Sequence, residues 1–516
     1  MASEECCSTR QWLALFGVML GAFMAVLDIQ ITNSSLKDIA GAIGSSIDEG
    51  SWISTAYLVA EIVAIGMSGI GAAIFSMKRY LLFSAIGFLI FSVLCAFCGN
   101  LQELIICRAL QGFTGGALIP LAFSTILVVM PKSQQPIGLA LFGFTATFGP
   151  SIGPSVGGWL TDNYGWQWIF FVNVPPGLAL IAIVWFCMDQ DRMRLGLIRE
   201  LDYFGIITMA VGLGSLEYVL EEGERKDWFG NPLIFRFAWI AGIFLVLFLY
   251  RELTAKKPFI NLRLLKHRSF TLSCIIQTTL GLGLYGSVFV VPEYLASVQG
   301  YSASEIGQTL MWVGIPQLFI LPFVPKLIKI IDIRVVIGVG ALLFATSCFM
   351  NAFLDPDYAG PQFVIANIVR ALGQPLMLIP LLSVATADIP PKESGSASAL
   401  FNMMRNLGGS FGIALLSTLI TNREHLHSER IVSTMTPGTP GLNARLDNVT
   451  QLFIMKGLDP STAARSALKL LGGSATEQSF LFAYGDAFFV IGSVMAASSL
   501  LLFFIKKPAH LQQAAH

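Results

Sequence analysis

Charged residues are scarce in this sequence. Of its 516 residues only 12% are Asp, Glu, Lys or Arg, whereas 54% are hydrophobic and the mean hydropathy is +0.70. Soluble domains carry about 25% charged residues, so this composition excludes an ordinary soluble protein and indicates a polytopic membrane protein. The formal net charge is zero, which gives no indication of a nucleic-acid or acidic partner.

Several functional motifs are also missing. No Gly-x4-Gly-Lys-Ser/Thr sequence occurs, so no loop of that type can bind nucleotide phosphates. All five histidines lie outside the apolar segments, which excludes an intramembrane histidine relay or metal site. Because no nucleophile–base or metal-ligand constellation is evident, we expect neither an enzyme nor a cofactor. Energy coupling must then use carboxyl groups, as a protein driven by the proton gradient would.

Apolar windows of about 20 residues can cross a bilayer, and fourteen can be placed along the chain. An even number puts both termini on one side. That side holds nineteen Lys and Arg residues against four on the other, so the positive-inside rule predicts cytoplasmic N- and C-termini. The predicted spans are 12–36, 52–74, 80–98, 103–130, 136–160, 168–188, 203–220, 233–250, 270–295, 305–328, 334–354, 361–387, 397–420 and 479–505.

One outer loop, residues 421–478, is much longer than the others. Asp459-Pro-Ser opens an Ala/Leu-rich run to Leu471, which predicts a helix. Ser474-x-x-Glu477 has the spacing of a capping box and is predicted to begin the last span. Thr436–Gly441 is rich in turn residues. The loop is therefore predicted to be a small exposed helical element.

The two halves of the chain share short patterns. Arg108-Ala-Leu recurs as Arg370-Ala-Leu, and Ala140-Leu-Phe recurs as Ala399-Leu-Phe, at offsets of 262 (370 − 108) and 259 (399 − 140) residues. Similar offsets indicate one duplication, and internal repeats are common in secondary transporters. The predicted organisation is a six-helix bundle over 1–200, two inserted helices over 201–255, and a second six-helix bundle over 256–516 that includes the long loop.

Asp28 and Glu61 are the two acids well inside predicted spans. An ionised carboxyl in hydrocarbon is costly, so each should hold a proton or have a specific partner. Arg108 lies in span 4 and stays charged, so it must face a carboxyl or a polar cavity. We interpret these three residues as candidates for proton coupling. Asp28 could instead be a structural hydrogen-bonding residue, and Glu61 could pair with a neighbouring helix.

Other polar and aromatic residues within spans are candidates for binding a substrate. Asn402 and Arg405 lie three residues apart, on one face of span 13. Arg405 could equally be a clamp between helices. The predicted binding residues are Asn33, Tyr57, Gln111, Tyr285, Phe289, Trp312, Asn402 and Arg405.

Span 5 combines small residues with helix breakers. Glycines spaced four apart form one small face, which permits close helix approach, and two prolines remove backbone donors. Dense packing would explain the glycines, but so many breakers favour a helix that flexes. The predicted gating residues are Gly149, Pro150, Gly153, Pro154, Gly157 and Gly158.

These motifs resemble the major facilitator superfamily, and within it the fourteen-span drug:proton antiporters of the EmrB/QacA type. Leu27-Asp-Ile-x-Ile-x-Asn33 looks like their span-1 motif, and Arg108-x-x-Gln-Gly112 like their span-4 motif. Gly153-Pro-x-x-Gly-Gly158 is similar to the antiporter motif of span 5. Trp166–Gly177 and Asp227-Trp-Phe229 look particularly like the EmrB branch.

The resemblance implies an all-α major facilitator fold and proton-coupled export of hydrophobic or amphipathic compounds across the bacterial inner membrane. It also implies a tripartite pump with a periplasmic adaptor and an outer-membrane channel, and the adaptor could dock on loop 421–478. One departure concerns the loop between spans 2 and 3, where Ala73 occupies the usual acid position. The charged contact that usually holds the cytoplasmic gate, here called the charge lock, must therefore be weaker in this protein or formed by other residues.

Two alternatives to multidrug export stay open. The first is an exporter dedicated to one metabolite, such as a siderophore or a fatty acid. The second is a membrane sensor or scaffold that transports nothing, which the two intramembrane acids disfavour.

Overall fold

A computed structural model describes residues 7–131, 134–189, 192–255, 258–387, 389–390, 393–434 and 440–505. Within these ranges the protein is built from helices and short connections, and no β-strand occurs. Part of the turn predicted at Thr436–Gly441 lies outside them. So do six of the lysines that were counted for the topology, namely Lys132, Lys256, Lys257, Lys392, Lys506 and Lys507.

In the described ranges, 13 helices are long and apolar enough to cross a membrane. They agree closely with the predicted spans. We number them in chain order, leaving α13 for a helix described below: α1 Thr9–Ser34, α2 Trp52–Phe75, α3 Met77–Phe97, α4 Leu101–Val129, α5 Gln135–Tyr164, α6 Trp168–Cys187, α7 Tyr203–Glu222, α8 Pro232–Thr254, α9 Arg268–Ser297, α10 Ser304–Ile330, α11 Ile333–Met350, α12 Gly360–Thr386 and α14 Pro460–Phe504.

The remaining predicted span corresponds to α13, Ser394–Thr434. Its middle carries Asn402, Arg405 and Asn406, which lower its hydropathy. It nevertheless packs directly against α9, where a Cβ on Gly281 would overlap the backbone carbonyl of Arg405. Polar residues in this helix are therefore covered by protein rather than by lipid, and each of the fourteen predicted spans coincides with a helix among the described residues.

The long loop is more helical than predicted. α13 continues to Thr434, a separate helix spans Pro440–Met455, and α14 begins at Pro460. The predicted helix start at Ser474 is wrong, because Ser474 donates to the carbonyl of Leu470 inside a continuous helix. The helix is already capped by Asp459, whose carboxylate accepts from the backbone N–H groups that follow it.

The glycine face of α5 packs against α1. A Cβ on Gly149 would lie 3.0 Å from a methyl of Val26, and one on Gly153 would overlap the side chain of Gln30. α5 nonetheless runs unbroken through Pro150 and Pro154. Only glycine permits this approach of the two helices, so α1 is held close to α5 along the segment that contains Asp28. That α5 bends during function stays a prediction.

Helices α1–α6 and α9–α14 meet along two seams, one between α5 and α10 and the other between α2 and α13. The inserted helix α7 covers the second seam by contacting both α2 and α13. Its partner α8 has only 17% of its apolar window buried, as expected for a helix that faces lipid. The predicted domain boundaries at residues 200 and 255 stay predictions.

The halves are in close contact near one end of the bundle. A Cβ on Gly69 of α2 would lie 3.0 Å from the carbonyl carbon of Gly395 in α13. Ser398 donates to the carbonyl of Pro120 at 2.8 Å across the same boundary. No acid is needed for these contacts, which lie close to the loop where Ala73 replaces the usual aspartate.

Replacing Gly153 by Val should destabilise the protein by about 1–3 kcal/mol, because the added side chain must push α5 away from α1. Thermal unfolding of the purified protein in mild detergent measures the loss. Gly242→Val is the matched control, since Gly242 lies in the lipid-facing helix α8 with no atom within 4 Å of its Cβ position. Equal melting temperatures for the two variants would contradict close packing at Gly153.

Candidate functional site

Asp28 lies in the C-terminal part of α1 and is completely buried. Its backbone is held in regular helix, and Thr32 donates a hydrogen bond to its carbonyl at 2.8 Å. Because the carboxyl is removed from bulk solvent, it depends on neighbouring helices for its hydrogen bonds. Three side chains, two from α4 and one from α6, supply donors.

Arg108 of α4 is the main partner. Its Nη1 lies 2.6 Å from Oδ2 of Asp28, and the two side chains are 1% and 0% exposed. Its Nε also donates to the carbonyl of Ile53 in α2 at 3.3 Å. A buried pair of this kind is favourable only when its remaining hydrogen-bonding groups are also satisfied. This pair meets that condition.

Gln111 completes the contact from α4. It lies three residues after Arg108, on the same helix face. Its amide nitrogen donates to Oδ1 of Asp28 at 3.1 Å, while its oxygen accepts from Nη1 of Arg108 at 2.8 Å. Gln111 was predicted to bind substrate, whereas its side chain in this structure is occupied by the ion pair.

Asn173 of α6 is a member of the site that the sequence did not single out. Its Nδ2 donates to Oδ1 of Asp28 at 2.6 Å and to Oγ of Ser92 in α3 at 3.1 Å. α6 is interrupted at this point, with helix over Trp168–Phe171 and again from Val174, and two prolines open the second segment. Asn173 occupies the N-cap position of the second segment, but its side chain makes no capping hydrogen bond. Its amide is therefore free to donate to Asp28.

Aromatic rings seal the pair. The guanidinium of Arg108 lies 4.2 Å from the ring centre of Tyr57 and 5.8 Å from that of Phe170. Both rings are fully buried. Cation–π contact stabilises the arginine, and exclusion of water strengthens its attraction to Asp28. Tyr57, predicted as a binding residue, therefore lies beneath the ion pair.

Glu61 lies one turn after Tyr57 on α2 and is also buried, at 1% exposure. Its backbone packs against Gly116 of α4, where a Cβ would lie 2.7 Å from the carbonyl oxygen of Glu61. Its Oε1 has no hydrogen-bond partner among the described residues. α2 also packs against α13. Glu61 thus lies on a helix that contacts both α4, which carries Arg108, and α13.

The predicted binding residues do not all share one location. Asn402 and Arg405 are buried in α13, and Tyr285 of α9 packs its ring on Gly409 of the same helix. Phe289 is half-buried one turn further along α9. The structure brings these four residues to the contact between α9 and α13.

Two predicted binding residues lie elsewhere. Asn33 is exposed at the end of α1 and accepts a hydrogen bond from Ser54 at 2.6 Å. Trp312 is 37% exposed, on the face of α10 that also carries the exposed Phe319. Cavities of about 300 and 390 Å³ open between α5 and α10, and neither is lined by a predicted binding residue.

Two further acids of α7 were not selected from the sequence. Oε1 of Glu217 accepts from Ser410 of α13 at 2.6 Å. Oε1 of Glu222 accepts from Ser51 at 2.8 Å and from Thr55 at 3.1 Å, both at the start of α2. The inserted helix therefore bonds to both halves. Because Glu217 and Glu222 lie near the end of an apolar window, the sequence did not indicate that they bond to other helices.

Comparison with known proteins gives a consistent result. The Major Facilitator Superfamily model matches residues 18–413. The chain is 33% identical over 499 residues to the colistin resistance protein EmrB of Acinetobacter baumannii, covering 96% of each chain. It is 30% identical over 495 residues to the multidrug export protein EmrB of Escherichia coli strain K12, covering 95% of this chain and 94% of that one.

A solved structure agrees at the level of the fold. The proton:xylose symporter XylE, bound to 6-bromo-6-deoxy-D-glucose, matches with a TM-score of 0.61 at 14% identity. The match covers 98% of this chain and 99% of that one. At this identity the likeness concerns architecture alone.

Arg108→Ala should cost about 3–5 kcal/mol of stability, because it leaves the carboxylate of Asp28 buried without its cation. The double variant Asp28→Asn/Arg108→Ala should recover most of this loss, since neither charge remains. Unfolding of the three proteins in mild detergent measures the difference. A double variant as unstable as Arg108→Ala would show that Arg108 stabilises the fold independently of Asp28.

Proposed function

Because this chain belongs to the major facilitator superfamily, in the EmrB branch of the fourteen-helix drug:proton antiporters, we propose that it is a proton-coupled exporter of hydrophobic and amphipathic compounds. The observation that carries the proposal is the buried Asp28–Arg108 pair. One proton can neutralise the carboxyl, whereas the guanidinium keeps its charge. A proton gradient can therefore act on the contact between α1 and α4.

Protonation of Asp28 changes what its neighbours bind. A neutral carboxyl loses the Coulomb attraction to Nη1 of Arg108, which is large at 2.6 Å between two buried side chains. The donors on Gln111 and Asn173 lose an ionised acceptor at the same time. α1 is then less tightly held to α4 and α6, and it can shift relative to them.

The glycine face of α5 provides the surface for that shift. Gly149, Gly153 and Gly157 contribute no side chains of their own to the contact with α1, so at these positions it is filled by side chains of α1 alone. In the proposed cycle, Asp28 takes a proton from the outer side and the cavity turns inward. Asp28 then discharges to the cytoplasm as a compound binds, and the return to the outward state releases the compound.

The contacts at Gly69–Gly395 and Ser398–Pro120 form the cytoplasmic gate in this proposal. With both termini in the cytoplasm, they lie at the inner end of α2, α4 and α13. Close backbone approach and one hydrogen bond there replace the charge lock that Ala73 removes. Binding residues at the α9–α13 contact lie deeper, between this gate and the outer side.

We further propose that the protein resides in the bacterial inner membrane and works with a periplasmic adaptor and an outer-membrane channel. The helical segment outside the membrane, 421–478, supports this partnership because it exposes apolar side chains. Leu452, Met455, Leu468 and Leu470 are 51–85% exposed. Such residues on an aqueous surface favour a protein partner.

The experiment that tests the function is transport in proteoliposomes with an imposed pH gradient and a panel of hydrophobic dyes. Wild-type protein should move the dyes, and Asp28→Asn should insert normally but show no pH-driven transport, because its side chain cannot release a proton. Transport by Asp28→Asn at the wild-type rate would remove Asp28 from the mechanism.

Asp189→Asn is the matched control, since the side chain of Asp189 is 90% exposed and lies outside the helices. It should transport as wild type does. Unrelated dyes should compete with one another if the protein has a multidrug range. Transport of one compound without competition would instead favour a dedicated exporter, and no proton flux with any compound would favour a sensor or scaffold.

The partnership has its own test. Replacing the part of 421–478 outside the membrane by a short Gly/Ser linker should abolish co-purification with the co-expressed cognate adaptor, because the docking surface is lost. The elution volume of the shortened protein in size-exclusion chromatography checks that the membrane helices stay folded. Unchanged co-purification would contradict docking on this segment.

A further inference from the structure

Arg405 in α13 is the opposite case to Arg108. It is 2% exposed, yet within the part of the chain that the structure describes Nε, Nη1 and Nη2 all lack a hydrogen-bond partner. Arg108, equally buried, bonds to Asp28, Gln111 and the carbonyl of Ile53. A buried cation without partners is expensive, and arginine cannot lose its charge to avoid the cost. Arg405 is therefore built for a partner that the folded chain does not supply in this state.

The groups around Arg405 are also polar and unsatisfied. Oδ1 of Asn402, Oδ1 of Asn406 and Oε1 of Gln277 have no hydrogen-bond partner among the described residues. Asn402 and Asn406 flank Arg405 on α13, and Gln277 is one turn from Gly281, which packs on the Arg405 backbone. Three amides beside one guanidinium can supply both donors and acceptors to a polar headgroup.

Glu61 is the opposing charge from the other half of the protein. It lies on α2, which packs against the helix that carries Arg405, but no ion pair joins the two side chains within the described ranges. Because α2 and α13 belong to different halves, their separation changes when the halves move. Glu61 can therefore approach Arg405 in one conformation and leave it in another.

Apolar surface adjoins the cation. The ring of Tyr285 packs on Gly409, one turn beyond Arg405, and Phe289 continues the same face of α9. A guanidinium next to aromatic rings matches a ligand with a charged head and an apolar body. Arginine binds carboxylates through two parallel hydrogen bonds, which Arg405 has free to donate.

Resting on the function proposed above, we propose that Arg405 binds the carboxylate of an amphipathic anionic substrate, and that Glu61 competes with that carboxylate for the same guanidinium. The site thus selects among hydrophobic compounds by charge. Substrate entry displaces Glu61 from Arg405, and departure of the substrate lets the two side chains of opposite halves approach again.

Equilibrium binding to the full-length protein in lipid nanodiscs tests this. The probes are 4-octylbenzoate and 4-octylbenzamide, which share an apolar body and differ in charge. Wild type should bind the benzoate more tightly. Arg405→Gln should weaken benzoate binding about ten- to a hundredfold, the loss expected for hydrogen bonds to a charged group, and change benzamide binding little. Arg405→Lys, which keeps the charge, should retain part of the preference.

Two further variants sharpen the result. Glu61→Gln should tighten benzoate binding because it removes the competing carboxylate. Arg370→Gln is the matched control, since Arg370 in α12 is also buried with unpartnered nitrogens but lies apart from this site. It should leave both affinities unchanged.

Equal loss of both probes in Arg405→Gln, an unchanged benzoate affinity, or an equal effect of Arg370→Gln would each overturn the proposal. Dye transport by wild type is measured on the same preparation. If dyes are transported but benzoate and benzamide bind alike, the anion site is wrong and the export function stands. If no dye is transported, the export function itself fails.

Discussion

The ion pair between Asp28 and Arg108 is the interaction on which the rest of the structure depends. It joins α1 to α4 at a site removed from bulk solvent, and Gln111, Asn173 and the ring of Tyr57 make the burial of two charges tolerable. Removing either charge alone would leave the other buried without a counter-charge. In the proposed cycle, Asp28 is therefore neutralised only when movement of α1 gives Arg108 another environment.

The proposed movement involves the helices around the pair. The glycines of α5 contribute no side chains of their own to its contact with α1, and the break in α6 turns Asn173 toward Asp28. The inserted helix α7 is bonded to α2 through Glu222 and to α13 through Glu217, so it follows both halves. The second buried arginine, Arg405, lies on α13 with no hydrogen-bond partner for its guanidinium among the described residues, and in the proposed function it binds substrate apart from the Asp28 site.

Much of this could be predicted from the sequence. Fourteen spans followed from apolar length, and Asp28 with Arg108 followed from the cost of charge in hydrocarbon. Asn173 could not be found this way, because burying a neutral amide costs much less free energy than burying a charge. Its role arises instead from the break in α6 at two prolines. Nor could the extension of α13 to Thr434, since hydropathy reports where a helix meets lipid and not where it ends. Whether Trp312 faces the interior depends on which face of α10 packs against neighbouring helices. The identity of this one residue in the sequence does not contain that information.

The most direct test of the central claim is infrared difference spectroscopy of the protein on adding a transported compound. The account predicts that binding discharges one buried carboxyl, so a protonated carboxyl band should disappear and a carboxylate band should appear. Both bands should be absent when residue 28 is asparagine. A difference spectrum of the wild-type protein with no carboxyl change, at any pH where transport occurs, would contradict the account.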